Sequence, residues 1–274
     1  MNVALLERPD YAAIKRKQNA AWSSGDYAVV GATLQIVGEQ LAEATGLPSG
    51  VDVLDVAAGN GNATLAFARR WHRVTSTDYV EALLEKGRKR ADAEGLDVAF
   101  QVADAEDLPF DNQSFDAVAS TFGVMFAPDQ DRAASELARV CRSGGKIAMA
   151  NWTPDSFIGR LFQVIGRHVP PPSGVMSPAN WGDEAWLRDR FGSVAANISV
   201  TRRHFVFRYL SAEHFIDVFR SLYGPVHKAF AALDEAGALK LEQDLRELID
   251  GSNTAIDGVV AAPASYLEVV ITKA

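Results

Sequence analysis

The residues best suited to hold a polar ligand lie in the stretch VLDVAAGNGN, residues 53–62. A short apolar run carries Asp55 near its end and passes through a glycine-bearing turn into the helical pattern ATLAFARRW. A strand, turn and helix in that order let backbone approach a ligand closely and point helix N–H groups at it. Gly59 and Gly61 stand where a side chain would collide with such a ligand. A second carboxylate, Asp78, ends the next apolar run, RVTSTD, 17 residues beyond Gly61. A carboxylate there can accept two hydrogen bonds from a ribose diol. It is also a preferred N-cap for the helical pattern that begins near Tyr79. Nicotinamide, flavin and adenosylmethionine folds all use such turns, so these residues alone leave the cofactor open.

The segment QVADAEDLPFDNQSFDAVAST separates the possibilities. Its elements are Asp104-Ala105-Glu106, then Leu108-Pro109-Phe110, then Phe115-Asp116-Ala117-Val118, followed downstream by the turn Arg142-Ser143-Gly144-Gly145. In that order and spacing they resemble the class I S-adenosylmethionine-dependent methyltransferases, in particular the branch similar to ubiquinone and menaquinone biosynthesis enzymes. The resemblance covers about residues 50–152. It implies that Asp55 positions the turn against the methionine part of S-adenosylmethionine, and that Ala57, Ala58, Gly59, Asn60 and Gly61 line it. It implies ribose binding by Asp78, with Tyr79 beside it. Asp104 would accept from the adenine amine, with Ala105 backbone at the ring edge and Glu106 completing the element. Thr121 and Phe122 would face the methionyl group and the methyl donor. Two positions depart from the family pattern. Ala57 replaces its first glycine, which narrows the turn slightly, and Ser143 replaces a proline, which loosens the later one. The N-terminal WSSGDYAVV resembles a segment of the same branch in which an aromatic residue covers the cofactor; Trp22 and Tyr27 suit that role, with helix packing as the ordinary alternative.

On the acceptor side, the strand end STFGVMF is apolar, and no Asn-Pro-Pro-Tyr-like tetrapeptide marks an amino acceptor on a base or glutamine. That suits a small hydrophobic or aromatic metabolite, methylated on O, C or N with S-adenosylhomocysteine as the other product. In doubly wound sheets the ligand crevice lies beyond the carboxyl ends of the strands. Residues 153–182 and 210–250 begin at or return over such ends, so an acceptor pocket of Met125, Phe126, Phe219 and Tyr223 is expected. Phe219 and Tyr223 are one helical turn apart on one face; a plain core stripe would show the same spacing. Transfer from a sulfonium is an in-line displacement needing no metal, and positioning supplies most of the rate. A hydroxyl acceptor would gain from a base, for which His168 and His204 are the candidates, ordinary surface or core placement being the alternative. No G-x-S-x-G elbow, P-loop lysine or helical histidine pair is present. A nicotinamide oxidoreductase would leave Asp104-Ala105-Glu106 and LPF unexplained, while a non-catalytic protein keeping the S-adenosylmethionine site stays open.

The elements that must position these residues follow from periodicity. Residues 10–46 read as helical, and from 51 short apolar runs alternate with helical patterns up to KIAMANW, ending at 152. That alternation predicts an α/β, Rossmann-like doubly wound sheet of seven strands. The family likeness adds that the last strand is antiparallel. The prolines of 166–182 predict a loop or covering segment; DEAWLRDRFG reads as a short helix and SVAANISVTRRHFVFRYL as a long strand. Two helical stretches, 211–224 and 226–250, form an insertion before a final strand in ASYLEVVITKA. We read residues 1–274 as one methyltransferase domain: a helical cap over 1–50, a cofactor core over 51–152 and acceptor-side segments over 153–274. The net charge of −8 and pI near 5.2 disfavour nucleic-acid binding, with Arg202, Arg203 and Arg208 read as a solvated face. A lone cysteine, Cys141, precludes an intrachain disulfide and a multi-cysteine zinc site. No leader-like segment opens MNVALLERPDYAAIKRK and no apolar run is long enough to span a bilayer, so a cytoplasmic location is expected.

Overall fold

The computed structural model describes residues 9–274, so the first eight residues of MNVALLERPDYAAIKRK, the stretch read as holding no leader, lie outside the described residues. Three helices come first, α1 (Tyr11–Ser24), α2 (Tyr27–Thr33) and α3 (Gln35–Ala44). Asp10 starts α1 by accepting from the Ala13 amide at 2.9 Å. The alternating region follows as β1 (Asp52–Val56), α4 (Asn62–Arg69), β2 (Arg73–Asp78), α5 (Glu81–Glu94), β3 (Val98–Val102), β4 (Phe115–Thr121), α6 (Gln130–Val140) and β5 (Cys141–Trp152). A 3₁₀ turn over Val124–Phe126 lies between β4 and α6.

The sheet order is β3-β2-β1-β4-β5-β7-β6, with β7 spanning Val260–Lys273 and β6 spanning Ala195–Tyr209. Strands β1 to β5 pair in parallel, and β7 is antiparallel to both of its neighbours. The chain moves outward from β1 to β3 and then returns to lay β4 on the other side of β1. That reversal opens a crevice at the carboxyl ends of β1 and β4. Val53 to Val56 are all buried, as a strand covered by helices on both faces must be. Their alternation divides the core: Val53 joins Phe67, Ala117 and Ala119, whereas Leu54 and Val56 join Val118 and the large cluster on the opposite face.

Beyond β5 lie α7 (Phe157–His168), a 3₁₀ turn over Pro178–Gly182 and α8 (Glu184–Phe191). The predicted covering segment thus begins inside a helix, and Pro170 to Pro172 follow only after α7 has ended. The insertion holds three helices rather than two: α9 (Ala212–Leu222), α10 (Gly224–Ala232) and α11 (Glu235–Asp250). Pro225 opens α10, and Asp234 breaks the second stretch by capping α11 through the Gly237 amide at 2.8 Å. The SGG turn before β5 is an irregularity within the strand, where Cys141 pairs with Phe115 but Lys146 with Ala117. No helix among the described residues is long and apolar enough to cross a membrane.

Candidate cofactor and acceptor cleft

The turn after β1 is left-handed at three places, with φ of +51° at Ala57, +57° at Gly59 and +84° at Gly61. A glycine takes that conformation freely, and Ala57 holds it at a steric cost. Gly61 ends the turn as the N-cap of α4. Asp78 lies across from it: one carboxylate oxygen accepts from the Gly59 amide at 2.9 Å and the other from the Val80 amide at 2.8 Å. Asp78 is therefore not the N-cap of α5, a position Val80 occupies without a side-chain bond. Burial pushes the Asp78 carboxyl up to about 6. Asp55 sits behind the turn, accepting from the Thr64 amide at 2.8 Å and the Thr64 hydroxyl at 2.6 Å. Burial pushes it up to about 7, and its second oxygen has no hydrogen-bond partner.

The turn, Asp78 and the segment after β3 open into one cleft with an empty volume of about 1080 Å³. Ala57, Ala58, Gly59 and Asn60 line it, as do Asp78, Tyr79, Asp104, Ala105 and Glu106. Asp104 and Glu106 share a cation from α1: Lys15 Nζ lies 2.5 Å from Asp104 Oδ2 and 2.9 Å from Glu106 Oε2. Asp104 also accepts from the Glu106 amide at 2.9 Å, and Glu106 from the Asp129 amide at 2.8 Å. Burial raises the Glu106 carboxyl above its ordinary value. Thr121 lines the cleft with a buried hydroxyl that has no partner among the described residues. Phe122, at φ +57°, stacks flat on Trp152 with ring centres 3.9 Å apart.

The far end of the cleft is aromatic. Trp22 meets Tyr27, Phe126 and Tyr223 edge-on at 5.4, 5.1 and 5.7 Å, and Phe219 tilts against Tyr223 at 4.9 Å. Helix α1 closes this side although none of its residues is fully buried. It is fastened by Lys15, by Gln18 donating to the Phe126 carbonyl at 3.1 Å and by Asn19 donating to the Tyr79 carbonyl at 2.8 Å, with Trp22 one turn on.

A sequence profile described as "Methyltransferase domain" matches residues 53–145, the stretch that builds the turn, Asp78 and Asp104. The uncharacterized protein Rv1405c of Mycobacterium tuberculosis is 39% identical over 88% of this chain and 89% of its own length. A demethylmenaquinone methyltransferase of Clavibacter sepedonicus is 36% identical over 45% of this chain and 51% of its own. Among solved structures, the YcgJ protein of Bacillus subtilis superposes with a TM-score of 0.58 at 17% identity, over 85% of this chain and 96% of its own. The chain belongs to the S-adenosylmethionine-dependent methyltransferases. The oxidoreductase alternative falls with that assignment.

In this methyltransferase several expected site residues lie elsewhere. His168, at the end of α7, pairs with Asp244 of α11 at 2.9 Å. His204, on β6, meets the Ser265 hydroxyl at 3.1 Å. Neither is among the described residues lining the cleft, because nearness in sequence to a strand end does not bring α7 or the outer strand β6 round to the switch between β1 and β4. Met125 is fully buried in the core and does not line the cleft either, whereas its neighbour Phe126 does. Asp55 and Gly61 shape the turn from behind rather than lining it. Arg202 and Arg203 are paired with Asp155 and Glu268. Lys15, Gln18 and Asn19 were not anticipated. The available signal was their spacing with Trp22, which puts all four on one face of a helix.

Proposed function

We propose that the cleft holds S-adenosylmethionine along the β1–β4 strand ends and a small, hydrophobic or aromatic acceptor in the aromatic chamber, and that the enzyme joins them by methyl transfer. The observation that carries this reading is the continuity of one cleft from three carboxylates at the β2 and β3 ends to a chamber of aromatic rings.

The residues present fit the cofactor. Asp78 is a buried acceptor already aimed at the turn by two amides, which leaves lone pairs for a ribose diol. Asp104, held by Lys15 and the Glu106 amide, is fixed to accept from an adenine amine. The orphaned Thr121 hydroxyl and the Ala57–Asn60 turn suit the amino-acid end, with Phe122 beside it. When bound, S-adenosylmethionine supplies an electrophilic methyl group on a sulfonium. The chain's own contribution is to orient the acceptor and exclude water from it, through Trp22, Phe126, Phe219 and Tyr223. With a net charge of −8 we infer small-molecule rather than nucleic-acid substrates.

Two measurements test the reading. Calorimetry should register S-adenosylhomocysteine and not NAD. An assay of S-adenosylhomocysteine release against phenols, quinols and polyketides should find turnover with at least one class. Binding of NAD without a response to S-adenosylhomocysteine would overturn the cofactor assignment.

A further inference from the structure

The four charged residues that line the cleft, Lys15, Asp78, Asp104 and Glu106, stand at the ends of β2 and β3 or reach there from α1. At the aromatic end, no histidine or carboxylate among the described residues lines the wall. Nothing there takes a proton from an acceptor. Its side chains offer the hydroxyls of Tyr27 and Tyr223, whose rings lie 6.2 Å apart, beside the indole N–H of Trp22. Neither hydroxyl has a hydrogen-bond partner among the described residues, and both residues line the cleft. Burial raises both phenols far above their ordinary range; the charge of Asp78 adds to this at Tyr27, and Tyr27 itself adds to it at Tyr223. Both phenols are therefore O–H donors rather than bases near neutral pH. A pair of unfilled donors in a dry aromatic chamber favours an acceptor atom that carries negative charge.

We infer that the methyl acceptor binds as an anion, the oxyanion or thiolate of an acidic phenol, enol or thiol on an apolar body, held by hydrogen bonds from Tyr27 and Tyr223. This rests on the methyl-transfer reading of the same cleft. The acceptor loses its proton to water before it is enclosed. Its lone pair then forms the bond to the methyl carbon while the carbon–sulfur bond breaks, and that electron pair stays on sulfur. A sulfonium and an anion become a thioether and a neutral ether or thioether, and charge is cancelled where the low dielectric makes separation costly. The neutral product is a poorer hydrogen-bond acceptor than the anion, so the tyrosine contacts weaken as the bond forms and favour release.

The test uses 4-nitrophenol, whose anion is coloured, titrated into the full-length protein saturated with S-adenosylhomocysteine. Wild type is expected to bind the coloured anion. Tyr223→Phe and Tyr27→Phe, each first shown to bind S-adenosylhomocysteine, should weaken anion binding by about tenfold or more, the usual worth of a hydrogen bond to a charged acceptor. The same variants should raise the apparent pKa of the bound probe. Across phenols and thiols of graded acidity, the pH profile of wild-type methylation should follow each acceptor's own ionisation and not a fixed enzyme group. Asp78, Asp104, Glu106 and Lys15 are the acidic and basic side chains that line the cleft, and with S-adenosylmethionine saturating at every pH, profiles tracking one of them would overturn the inference. So would a colourless bound probe, no probe binding, or Phe variants that bind the anion as wild type does. Failure to bind S-adenosylhomocysteine at all would instead sink the methyl-transfer reading, which keeps the two failures distinct.

Discussion

Replacing Asp78 by alanine separates a ligand contact from a structural one. The carboxylate is 5% exposed and bonds two amides, at 2.9 and 2.8 Å. Removing it orphans both N–H groups, at roughly 1–3 kcal/mol each. It also removes a buried charge. A rise from 3.8 to about 6 corresponds to roughly 3 kcal/mol of unfavourable ionisation at neutral pH. The two effects largely offset, so the free protein should lose no more than about 3 kcal/mol. Two ribose hydroxyls donating to a charged acceptor contribute roughly 2–4 kcal/mol, so affinity for S-adenosylhomocysteine should fall about thirty- to a thousand-fold. Calorimetric titration at pH 7.5 beside thermal unfolding reads both quantities. Wild-type affinity should be level above about pH 7 and weaken as pH falls through about 6, because the proton and the ribose donors compete for the same oxygens. Stability runs the other way. Asp55 and Asp78 have folded values raised above their unfolded ones, so their contribution is fullest below about pH 4 and is lost as pH rises through 6 to 7. An unchanged affinity with a lowered melting temperature would refute the ribose role and leave Asp78 as a brace for the turn.

Lys15→Ala should speed S-adenosylhomocysteine dissociation in stopped-flow and remove part of its salt dependence. It should cost less than about 1 kcal/mol of stability, since two of the three side chains in this cluster, Lys15 and Asp104, are a quarter to a third exposed. His168→Ala and His204→Ala should leave steady-state methyl transfer unchanged, because neither side chain lines the cleft; a large loss in either would restore a base. Ala57→Gly should raise stability or leave it level, relieving about 1 kcal/mol of strain at φ +51° against glycine's extra chain entropy. Gly123→Ala should destabilise by about 3 kcal/mol or more in denaturant titration, since its Cβ would fall 2.0 Å from the Ala57 carbonyl oxygen.

What was legible in the sequence is what is contiguous. Strand, glycine turn and terminal acid follow one another within residues 51–78, so Gly59 and Asp78 are readable from spacing, whereas Asp104 came with the family likeness. The antiparallel last strand came with the family likeness, not with the periodicity, because alternation cannot give direction. Local chemistry moved the boundaries: Asp234 cut one predicted helix into two, and α7 ran on to the residue before Val169. Met125 and Phe126 are neighbours in a 3₁₀ turn, one pointing to the core and the other to the cleft, a choice that no pattern of apolar residues encodes. The histidines were proposed from their order along the chain, and order along the chain is a poor guide to which side of a sheet a helix returns on.

The acceptor wall was harder to read for a further reason: it is also core. Phe219 lines the cleft, yet it is 1% exposed and stacks on Phe215 with ring centres 4.0 Å apart. Phe207 lines the cleft as well and touches the same pair of rings. A helical stripe of aromatic residues therefore satisfied both expectations at once, since the same side chains fill the space under α9 and face the ligand. Truncating Phe219 to alanine opens a cavity worth about 3–5 kcal/mol, and lost activity would then report unfolding as much as specificity. The tyrosines escape this ambiguity because their polar atoms do no packing. Removing one oxygen from Tyr223 leaves its contacts with Trp22 and Phe219 in place and changes only what the chamber offers a ligand. Specificity in this enzyme is thus best probed at the hydroxyls, where chemistry can be altered without altering the fold that presents it.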